Sequence, residues 1–392
     1  MEQREIRCGD ESLMQILCLN FGTASLKFAL FGADGDVVLE GHLEQPASVK
    51  QALDEVRGRL TTVGAKVDAV GHRVVHGGGR YTQPAFHDAD LERAIEALAP
   101  LAPQHNPMAL EALREAARLW PRLQQVAVFD TAFHASIPEH ASCYAVPEAW
   151  RQAGVRRYGF HGLSHQHVME AVSLRMGVPA SSLRIISLHL GNGASACAID
   201  RGHSADTSMG FTPMEGLIMG TRCGDLDPGV VGYVGRTLHL SVADVEKALY
   251  EDSGMKALSR AGSDLRAIES AAVAGSASAL LALQAYAYRV RKYVGAYAAA
   301  MGGCDAIAFT GGVGENSSRV RATVLEGLEF LGISLDVAHN VPPQFDENGV
   351  APVSRLGART PCLIVRAREE WMIARETRRL LNARGIDAHV RK

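Results

Sequence analysis

The sequence predicts an α/β protein built from two similar halves. Residues 17–30 join two apolar runs through a polar, glycine-containing turn, and residues 188–199 repeat this arrangement in the second half of the chain. Each hairpin is followed by segments in which strand and helix patterns alternate, as they do in α/β folds. With 392 residues, the chain is long enough for two domains that each have a core.

Further elements of the first half follow from apolar periodicity and capping residues. The pattern predicts strands at 37–41, 67–75 and 125–129 and a helix at 49–60. Asp88 is expected to cap a second helix, and Asn106, which precedes Pro107, is expected to cap a third.

The second half repeats this plan, with a long connection rich in glycine, proline and methionine that follows its first two strands and reaches to about residue 232. The predicted elements are strands at 184–190, 194–200, 305–309 and 362–366, helices from 241 to about 291, and a final helix at 370–383. The final helix is expected to return and pack on the first half.

Composition excludes several classes of protein. The chain is 47% hydrophobic with a formal net charge of −3, and it has no basic run typical of nucleic-acid or membrane-surface proteins. Its seven cysteines form no C-x-x-C pair, which indicates reduced thiols and a cytoplasmic location. Residues 1–15, several of which are charged, lack the apolar core of a signal peptide. Residues 271–288 are uncharged but only weakly apolar, and are expected to form a buried helix rather than a membrane span.

The two hairpin turns have the composition that a phosphate requires. Small residues let backbone N–H groups approach an anion, and hydroxyl, amide or ammonium groups can donate to it. Neither turn matches a Walker or a Rossmann fingerprint, because a strand and not a helix follows. A single turn of this kind is most often an ordinary hairpin turn, so the repetition carries the prediction.

Two arginines lie beside glycines, Arg73 in Gly71-His72-Arg73 and Arg222 before Gly224. A guanidinium group binds carboxylate or phosphate with a planar fork, and neighbouring glycines let the anion approach. A structural salt bridge is the alternative for either arginine alone. Together they favour an anionic substrate.

His161, between Phe160 and Gly162, can donate to a phosphoryl group during transfer, although a lone histidine is more often structural. With His165 it forms H-x-x-x-H, but no adjacent glutamate supports a zinc site. Asp130 follows a buried strand and is suited either to orienting an arginine or nucleophile or to capping a helix. The glycine-rich segment 310–316 after a strand is expected to be a loop that contacts a purine, with an ordinary turn as the alternative.

Seven motifs follow one another along the chain. They are Leu19-Asn20-x-Gly22 to Ser25-Leu26-Lys27-Phe28, Gly71-His72-Arg73-Val74-Val75-His76-Gly77-Gly78, Phe129-Asp130-Thr131-Ala132-Phe133-His134, Tyr158-Gly159-Phe160-His161-Gly162, His189-Leu190-Gly191-Asn192-Gly193, Met219-Gly220-Thr221-Arg222-x-Gly224-Asp225-Leu226-Asp227-Pro228, and Gly312-Val313-Gly314-Glu315-Asn316. This set resembles the acetate kinase family, of the acetate and sugar kinase/actin superfamily, over nearly the whole chain.

The resemblance implies two duplicated actin-like (ribonuclease H-like) domains with a central nucleotide cleft. The first would span 15–145 with the C-terminal helix 370–392, and the second would span 146–369 and carry the nucleotide site and a dimer interface. It implies reversible transfer of the γ-phosphoryl group of ATP to acetate, giving acetyl phosphate and ADP, with Mg²⁺ or Mn²⁺ as cofactor. It also implies a homodimer.

The resemblance assigns roles to individual positions. Catalytic roles fall to Asp130, His161 and Arg222, and metal binding falls to Asn20 and Glu369. The acid would be bound by Arg73, Val75, Phe160 and Pro213. ATP would be bound by Lys27, His189, Leu190, Gly191, Asn192, Gly193, Asp264, Leu265, Arg266, Gly312, Val313, Gly314, Glu315 and Asn316.

This assignment agrees with the chemistry of the reaction. A carboxylate is already a nucleophile and needs no strong base, whereas two anions brought into line need charge cancellation. Asp130 is therefore interpreted as an orienting group for arginine or metal and not as a proton acceptor.

Three departures from the family pattern stand out. Thr23 and Ala24 replace serines in the first turn, and Arg366-Ala367-Arg368 replaces Pro-Thr-Asn/Asp before Glu369. Gln104 stands where a leucine helps to line the acyl pocket. Propionate or another short acid as substrate, a non-catalytic ATP-binding switch, and a weakly active paralogue are the alternative functions. The two arginines argue against the switch.

Overall fold

The computed structural model describes residues 14–22 and 25–385, so Thr23 and Ala24 lie outside the described residues. The chain divides into two compact units. Unit one comprises Met1–Ala132 with Arg368–Lys392, and unit two comprises Phe133–Ala367. The first boundary between the units follows Ala132, and the segment after it bonds within unit two. His134, for example, bonds Ser204 at 2.8 Å, and Arg157 donates to Glu215 at 2.7 Å.

Unit one contains a six-stranded sheet with the order β3-β2-β1-β4-β6-β5. Its strands are β1 (Ile16–Phe21), β2 (Ser25–Phe31), β3 (Val37–Glu44), β4 (Ala69–Val74), β5 (Ala85–Phe86) and β6 (Gln124–Phe129). The first three form an antiparallel meander, whereas β4 pairs in parallel with β1, and β6 pairs in parallel with β4. The short β5 pairs with β6 in the antiparallel sense and forms an edge of the sheet.

Unit two repeats this order, with the sequence β11-β12-β10-β7-β8-β9 across its sheet. Its strands are β7 (Arg184–Leu190), β8 (Ala194–Asp200), β9 (His203–Thr207), β10 (Ala306–Thr310), β11 (Val350–Pro352) and β12 (Cys362–Val365). The first three strands, β7 to β9, again form an antiparallel meander. β10 is parallel to β7, β12 is parallel to β10, and the short β11 forms an antiparallel edge. The predicted α/β fold with duplicated halves is therefore confirmed.

The helices fill the connections between these strands. In chain order they are α1 (Val49–Thr62), α2 (Ala89–Ala97), α3 (Asn106–Leu119), α4 (Glu139–Ser142), α5 (Glu148–Gln152), α6 (Gly162–Met176), α7 (Gly229–Leu238), α8 (Val242–Glu251), α9 (Gly254–Ser259), α10 (Leu265–Val273), α11 (Ala277–Ala300), α12 (Gly311–Asn316), α13 (Ser318–Leu325) and α14 (Glu369–Ala383), with short 3₁₀ turns at Ala99–Leu101, Ala132–Ser136, Ala180–Ser182 and Glu329–Leu331.

The final helix packs on the first sheet, as predicted. A Cβ built on Gly71 in β4 would lie 2.4 Å from Thr377 Oγ1 and 2.7 Å from Ile373 Cγ2 of α14. Only glycine permits this approach without displacement of the helix. As a result, Glu369 and Glu370 at the start of α14 belong to unit one.

Of the two caps predicted in unit one, the structure confirms one and corrects the other. Asp88 caps α2 by accepting from Leu91 N at 2.8 Å, as expected, but α3 is preceded by His105, and Asn106 is its first residue. The Asn106 amide instead accepts from His76 N and donates to His76 O, both at 3.0 Å. The Asn106 side chain thus makes a tertiary contact in place of the capping bond that its local pattern suggested.

The uncharged stretch 271–288 forms parts of two helices and not one. Gly275 has φ +90°, and Ser276 begins α11 by accepting from Ala279 N at 3.3 Å. One face of α11, which includes Leu283, Tyr286 and Val290, is buried in unit two. In the part of the chain that the structure describes, no helix has the length and apolar character needed to cross a membrane.

Candidate active site

In unit one, three predicted site residues lie at one edge of the sheet. Because β1, β4 and β6 are mutually parallel, the groups near their carboxyl ends meet at that edge. Arg73 Nε lies 3.0 Å from both carboxylate oxygens of Asp130, and Arg73 Nη2 donates to Asp130 Oδ2 at 2.5 Å. Arg73 Nη1 donates to Asn20 Oδ1 at 3.0 Å. The guanidinium group is therefore held on two sides.

Asp130 is only 1% exposed, so its carboxylate is compensated by Arg73 and not by solvent. Burial opposes the charge on Arg73, but the Asp130, Glu369 and Glu370 carboxylates outweigh burial and raise the pKa of the guanidinium group. Arg73 is charged at every physiological pH. The second hydrogens on Nη1 and Nη2 have no acceptor among the described residues and can donate to an anion.

The candidate metal ligands lie beside this pair. Asn20 Nδ2 donates to Glu370 Oε1 at 2.9 Å and to Glu369 Oε2 at 3.3 Å. Within residues 14–22 and 25–385, no group of three or more His, Cys, Asp or Glu side chains forms a ready metal cage. An amide oxygen and one or two carboxylates nevertheless suit Mg²⁺, which takes its remaining ligands from water and substrate phosphates.

Lys27 lies next to this group. It is directly opposite Asn20 in the β1–β2 ladder, so the two side chains are on the same face of the hairpin. The Lys27 side chain is exposed. Its ammonium group can therefore reach a phosphate bound near Asn20.

In unit two, His161 and His189 form a stacked pair, with ring centroids 4.2 Å apart and ring planes at 26°. His161 has φ 57°, a left-handed conformation, directly before α6. Its Nδ1 bonds Ser195 Oγ at 2.9 Å, and His189 Nδ1 bonds Ser164 Oγ at 2.8 Å. Serine hydroxyls thus fix the orientation of both rings.

Arg222 approaches His161 near Gly193. A Cβ built on Gly193 would lie 3.4 Å from His161 Nε2 and 3.6 Å from Arg222 Nη2. Arg222 Nη1 donates to Pro213 O at 2.7 Å, which anchors one side of the guanidinium group. An imidazole nitrogen and a guanidinium nitrogen therefore face the glycine turn that the sequence marked as phosphate-binding.

Next to this turn, unit two contains a pocket of about 760 Å³. Eight predicted nucleotide-binding residues line it: Gly191, Asn192, Asp264, Leu265, Arg266, Gly312, Val313 and Asn316. Leu190 and Gly314 are buried, His189 and Gly193 lie at the strand end beside the pocket, and Glu315 accepts from Ala367 N at 3.0 Å. The volume is in the range of small-molecule sites.

Segment 310–316 is not a loop, contrary to prediction. Residues Gly311–Asn316 form α12 directly after β10, and Arg321 donates to the carbonyl oxygens of Gly314 and Glu315 at its end. Gly311 has φ +77°, and a Cβ there would lie 2.7 Å from Leu190 O. Glycine at this position allows the helix to start against the end of β7.

The residues assigned to the acid are distributed over both units. Arg73 and the buried Val75 are in unit one, while Phe160 and Pro213 are buried in unit two. The Phe160 carbonyl accepts from His134 Nε2 at 3.0 Å, which fixes the backbone before His161.

Sequence reasoning missed several residues of these sites. Glu370 bonds Asn20, Ser195 orients His161, and Met255, Glu269 and Tyr286 line the pocket of unit two. Glu370 directly follows Glu369, and Ser195 is two residues after Gly193, so a search for polar partners near the predicted site residues would have found both. The pocket residues come from α9, α10 and α11, where no local pattern identifies them.

Together these features define a class, an α/β phosphotransferase with two duplicated units, one with an oriented arginine beside carboxylates and one with a nucleotide-sized pocket. Residues 37–375 match the acetokinase family, and the chain belongs to that family. It is 45% identical to an acetate kinase from Deinococcus radiodurans, over 95% of this chain and 99% of that protein.

Solved structures agree with this placement. The chain is similar to an acetate kinase from Porphyromonas gingivalis, with a TM-score of 0.86 and 37% identity over 94% of this chain and 100% of the other. A propionate kinase from Francisella tularensis also has a TM-score of 0.86, with 33% identity over 93% of this chain and 99% of the other.

Proposed function

We propose that this chain transfers the γ-phosphoryl group of ATP to a carboxylate oxygen of acetate, reversibly, giving acetyl phosphate and ADP. The observation that carries the proposal is the Arg73 guanidinium group, which Asp130 and Asn20 hold on two sides while two of its N–H donors remain available. A fork held in this way suits a small carboxylate.

In the proposed reaction an acetate oxygen attacks the γ-phosphorus. The new bond is O–P, and the bond that breaks joins the γ-phosphorus to the bridging oxygen, so that ADP leaves. No proton has to be removed, and Asp130 orients Arg73 and takes no proton. Arg222 and His161 donate to the phosphoryl oxygens as charge shifts during transfer.

Asn20 and Glu369, with Glu370, would hold Mg²⁺. When bound, Mg²⁺ supplies neutralisation of phosphate charge. Lys27 would bind the nucleotide phosphates, while the pocket formed by 191–193, 264–266 and 312–316 would bind the nucleoside.

Trapping of the acyl phosphate with hydroxylamine tests this function. With ATP, Mg²⁺ and acetate, the hydroxamate should form in proportion to enzyme, and chelation of Mg²⁺ should abolish it. Absence of hydroxamate with acetate, propionate and butyrate, despite ATP binding, would contradict the proposal and favour a nucleotide switch.

The assignment of acetate rests on the family. An apolar pocket discriminates one methylene by only about 1–3 kcal/mol, and a propionate kinase shares this fold. The same assay with propionate therefore measures acid preference, and the variant Gln104→Leu tests whether the polar residue influences it.

We propose that the chain forms a homodimer through α7, in a reducing, cytoplasmic setting consistent with its free cysteines. None of the residues of α7 is buried, and its Tyr233 and Leu238 side chains are 63% and 61% exposed. An apolar helix in this position is typical of an interface.

Light scattering after size exclusion should give a mass of two chains for the wild type and a shift towards one chain for Tyr233→Asp. Phe330→Asp is the matched control, because this aromatic residue is equally exposed but lies outside α7. A wild-type monomer, or a Tyr233→Asp dimer as tight as wild type, would exclude this interface.

A further inference from the structure

A chain of hydrogen bonds runs from the interior of unit two to His161. Ser187 Oγ lies 2.8 Å from His165 Nδ1, and His165 Nε2 lies 2.8 Å from Ser195 Oγ. Ser195 Oγ in turn lies 2.9 Å from His161 Nδ1. Both serines and His165 are completely buried, so solvent does not compete for these bonds.

The direction of donation along these hydrogen bonds follows from what His161 must do in the proposed function, on which the inference rests. A phosphoryl oxygen has only lone pairs, so His161 Nε2 must carry a hydrogen to bond it. If the ring is neutral, Nδ1 then has a lone pair and requires a donor. The Ser195 hydroxyl, 2.9 Å from that nitrogen, is placed to donate to it.

Once the Ser195 hydrogen points to His161, the Ser195 oxygen must accept from His165. His165 then carries its hydrogen on Nε2, and its Nδ1 accepts from the Ser187 hydroxyl. Along this direction His165 and Ser195 each donate once and accept once. The tautomer of His161 is thus set by the bond that its other nitrogen makes.

We propose that Ser195, supported by His165 and Ser187, is a positioning residue that holds neutral His161 in the tautomer with hydrogen on Nε2, facing the transferred phosphoryl group.

The surroundings of these hydrogen-bonded residues favour this arrangement. Burial, with smaller contributions from His134 and His189, lowers the pKa of His165 well below its ordinary value, so His165 stays neutral and can accept at one nitrogen while donating at the other. The titratable and charged groups that face His161 include His189, stacked on its ring, His165 behind Ser195, and Arg222 near Gly193.

The tautomer can be measured without activity. In protein labelled with ¹⁵N-histidine, long-range ¹H–¹⁵N spectra distinguish Nδ1–H from Nε2–H rings, and loss of one signal set in His161→Gln identifies His161. At pH 8 the wild type, alone and with Mg²⁺, a non-hydrolysable ATP analogue and acetate, should show hydrogen on Nε2. Hydrogen on Nδ1 would overturn the proposal, even if the chain proved to have no kinase activity.

Kinetics supply the second test. Ser195→Ala should lower kcat at pH 8 by about tenfold, the scale at which hydrogen-bond partners of functional histidines act, with little change in either KM. Ser195→Thr, which keeps the hydroxyl, should recover most of kcat.

Ser142→Ala is the control for loss of a buried hydroxyl in the same unit. Ser142 Oγ bonds the backbone carbonyl of Glu139 at 3.4 Å, and its removal should leave kcat unchanged. No loss of kcat in Ser195→Ala, or an equal loss in Ser195→Ala and Ser195→Thr, would refute the role of Ser195. A wild type that forms no acyl phosphate would refute the proposed function instead.

Discussion

Replacing Arg222 with alanine is expected to lower kcat by about 10³-fold while changing the KM values for ATP and acetate by less than about threefold. Arg222 is anchored through Nη1 to Pro213 O at 2.7 Å, and its Nη2 faces Gly193 with His161 Nε2. A donor held in advance at this position acts mainly on the charge that develops during phosphoryl transfer. A loss confined to the transition state appears in kcat and not in KM.

Steady-state rates from the hydroxamate assay provide the measurement. Arg222→Lys should recover only part of the loss, because an ammonium group restores the charge but not the planar fork. Arg184→Ala is the control for loss of an arginine in unit two, since Arg184 bonds Asp305 and Gly302 and no residue of the site. If Arg222→Ala raised KM for acetate and left kcat intact, Arg222 would be a binding group and its assigned role would be wrong.

The strands could be predicted because apolar runs, and the polar turns between them, are visible in the local sequence. Residues 184–190 and 194–200 are apolar runs separated by a polar turn, and they form β7 and β8 with those bounds. The repeat of this pattern in the two halves was visible for the same reason, since each hairpin starts its own six-stranded sheet.

Elements decided by distant contacts were not predictable in the same way. Asn106 before Pro107 has the pattern of a cap, yet its amide bonds the backbone of His76, which is remote in sequence. The glycines at 311–314 suggested a loop, but the positive φ of Gly311 and its approach to Leu190 O let a helix begin there. In both cases tertiary packing overrides the local preference.

In the candidate site too, some residues could be predicted from local sequence and others depend on distant contacts. Arg73, Asp130 and Asn20 were identified because strand ends carry functional groups, and their mutual bonds follow from the parallel order of β1, β4 and β6. Glu269 and Tyr286 line the pocket of unit two from helices whose sequence shows only amphipathic or uncharged character. Their position depends on how α10 and α11 pack, which no motif encodes.

Removal of the Arg73 side chain should have two separable effects. Arg73→Ala is expected to raise KM for acetate by about 100-fold, because two charge-assisted hydrogen bonds are worth about 3 kcal/mol and each 1.4 kcal/mol is a factor of ten. It should also lower the free energy of unfolding by about 3–5 kcal/mol, since Asp130, 1% exposed, would remain as a buried carboxylate without its cation.

A second substitution distinguishes these effects. In the double variant Arg73→Ala/Asp130→Asn the buried charge is gone, so urea unfolding should show most of the lost stability restored, while KM for acetate should stay about 100-fold high. Asp130→Asn alone keeps the guanidinium group but loses its charged orienting partner, and should give an intermediate KM. If the double variant regained wild-type affinity for acetate, Arg73 would serve only to neutralise Asp130, and the acid would have to be bound by other groups. If KM stayed high in a stable protein, Arg73 would bind the acid directly, and Asp130 would act through Arg73.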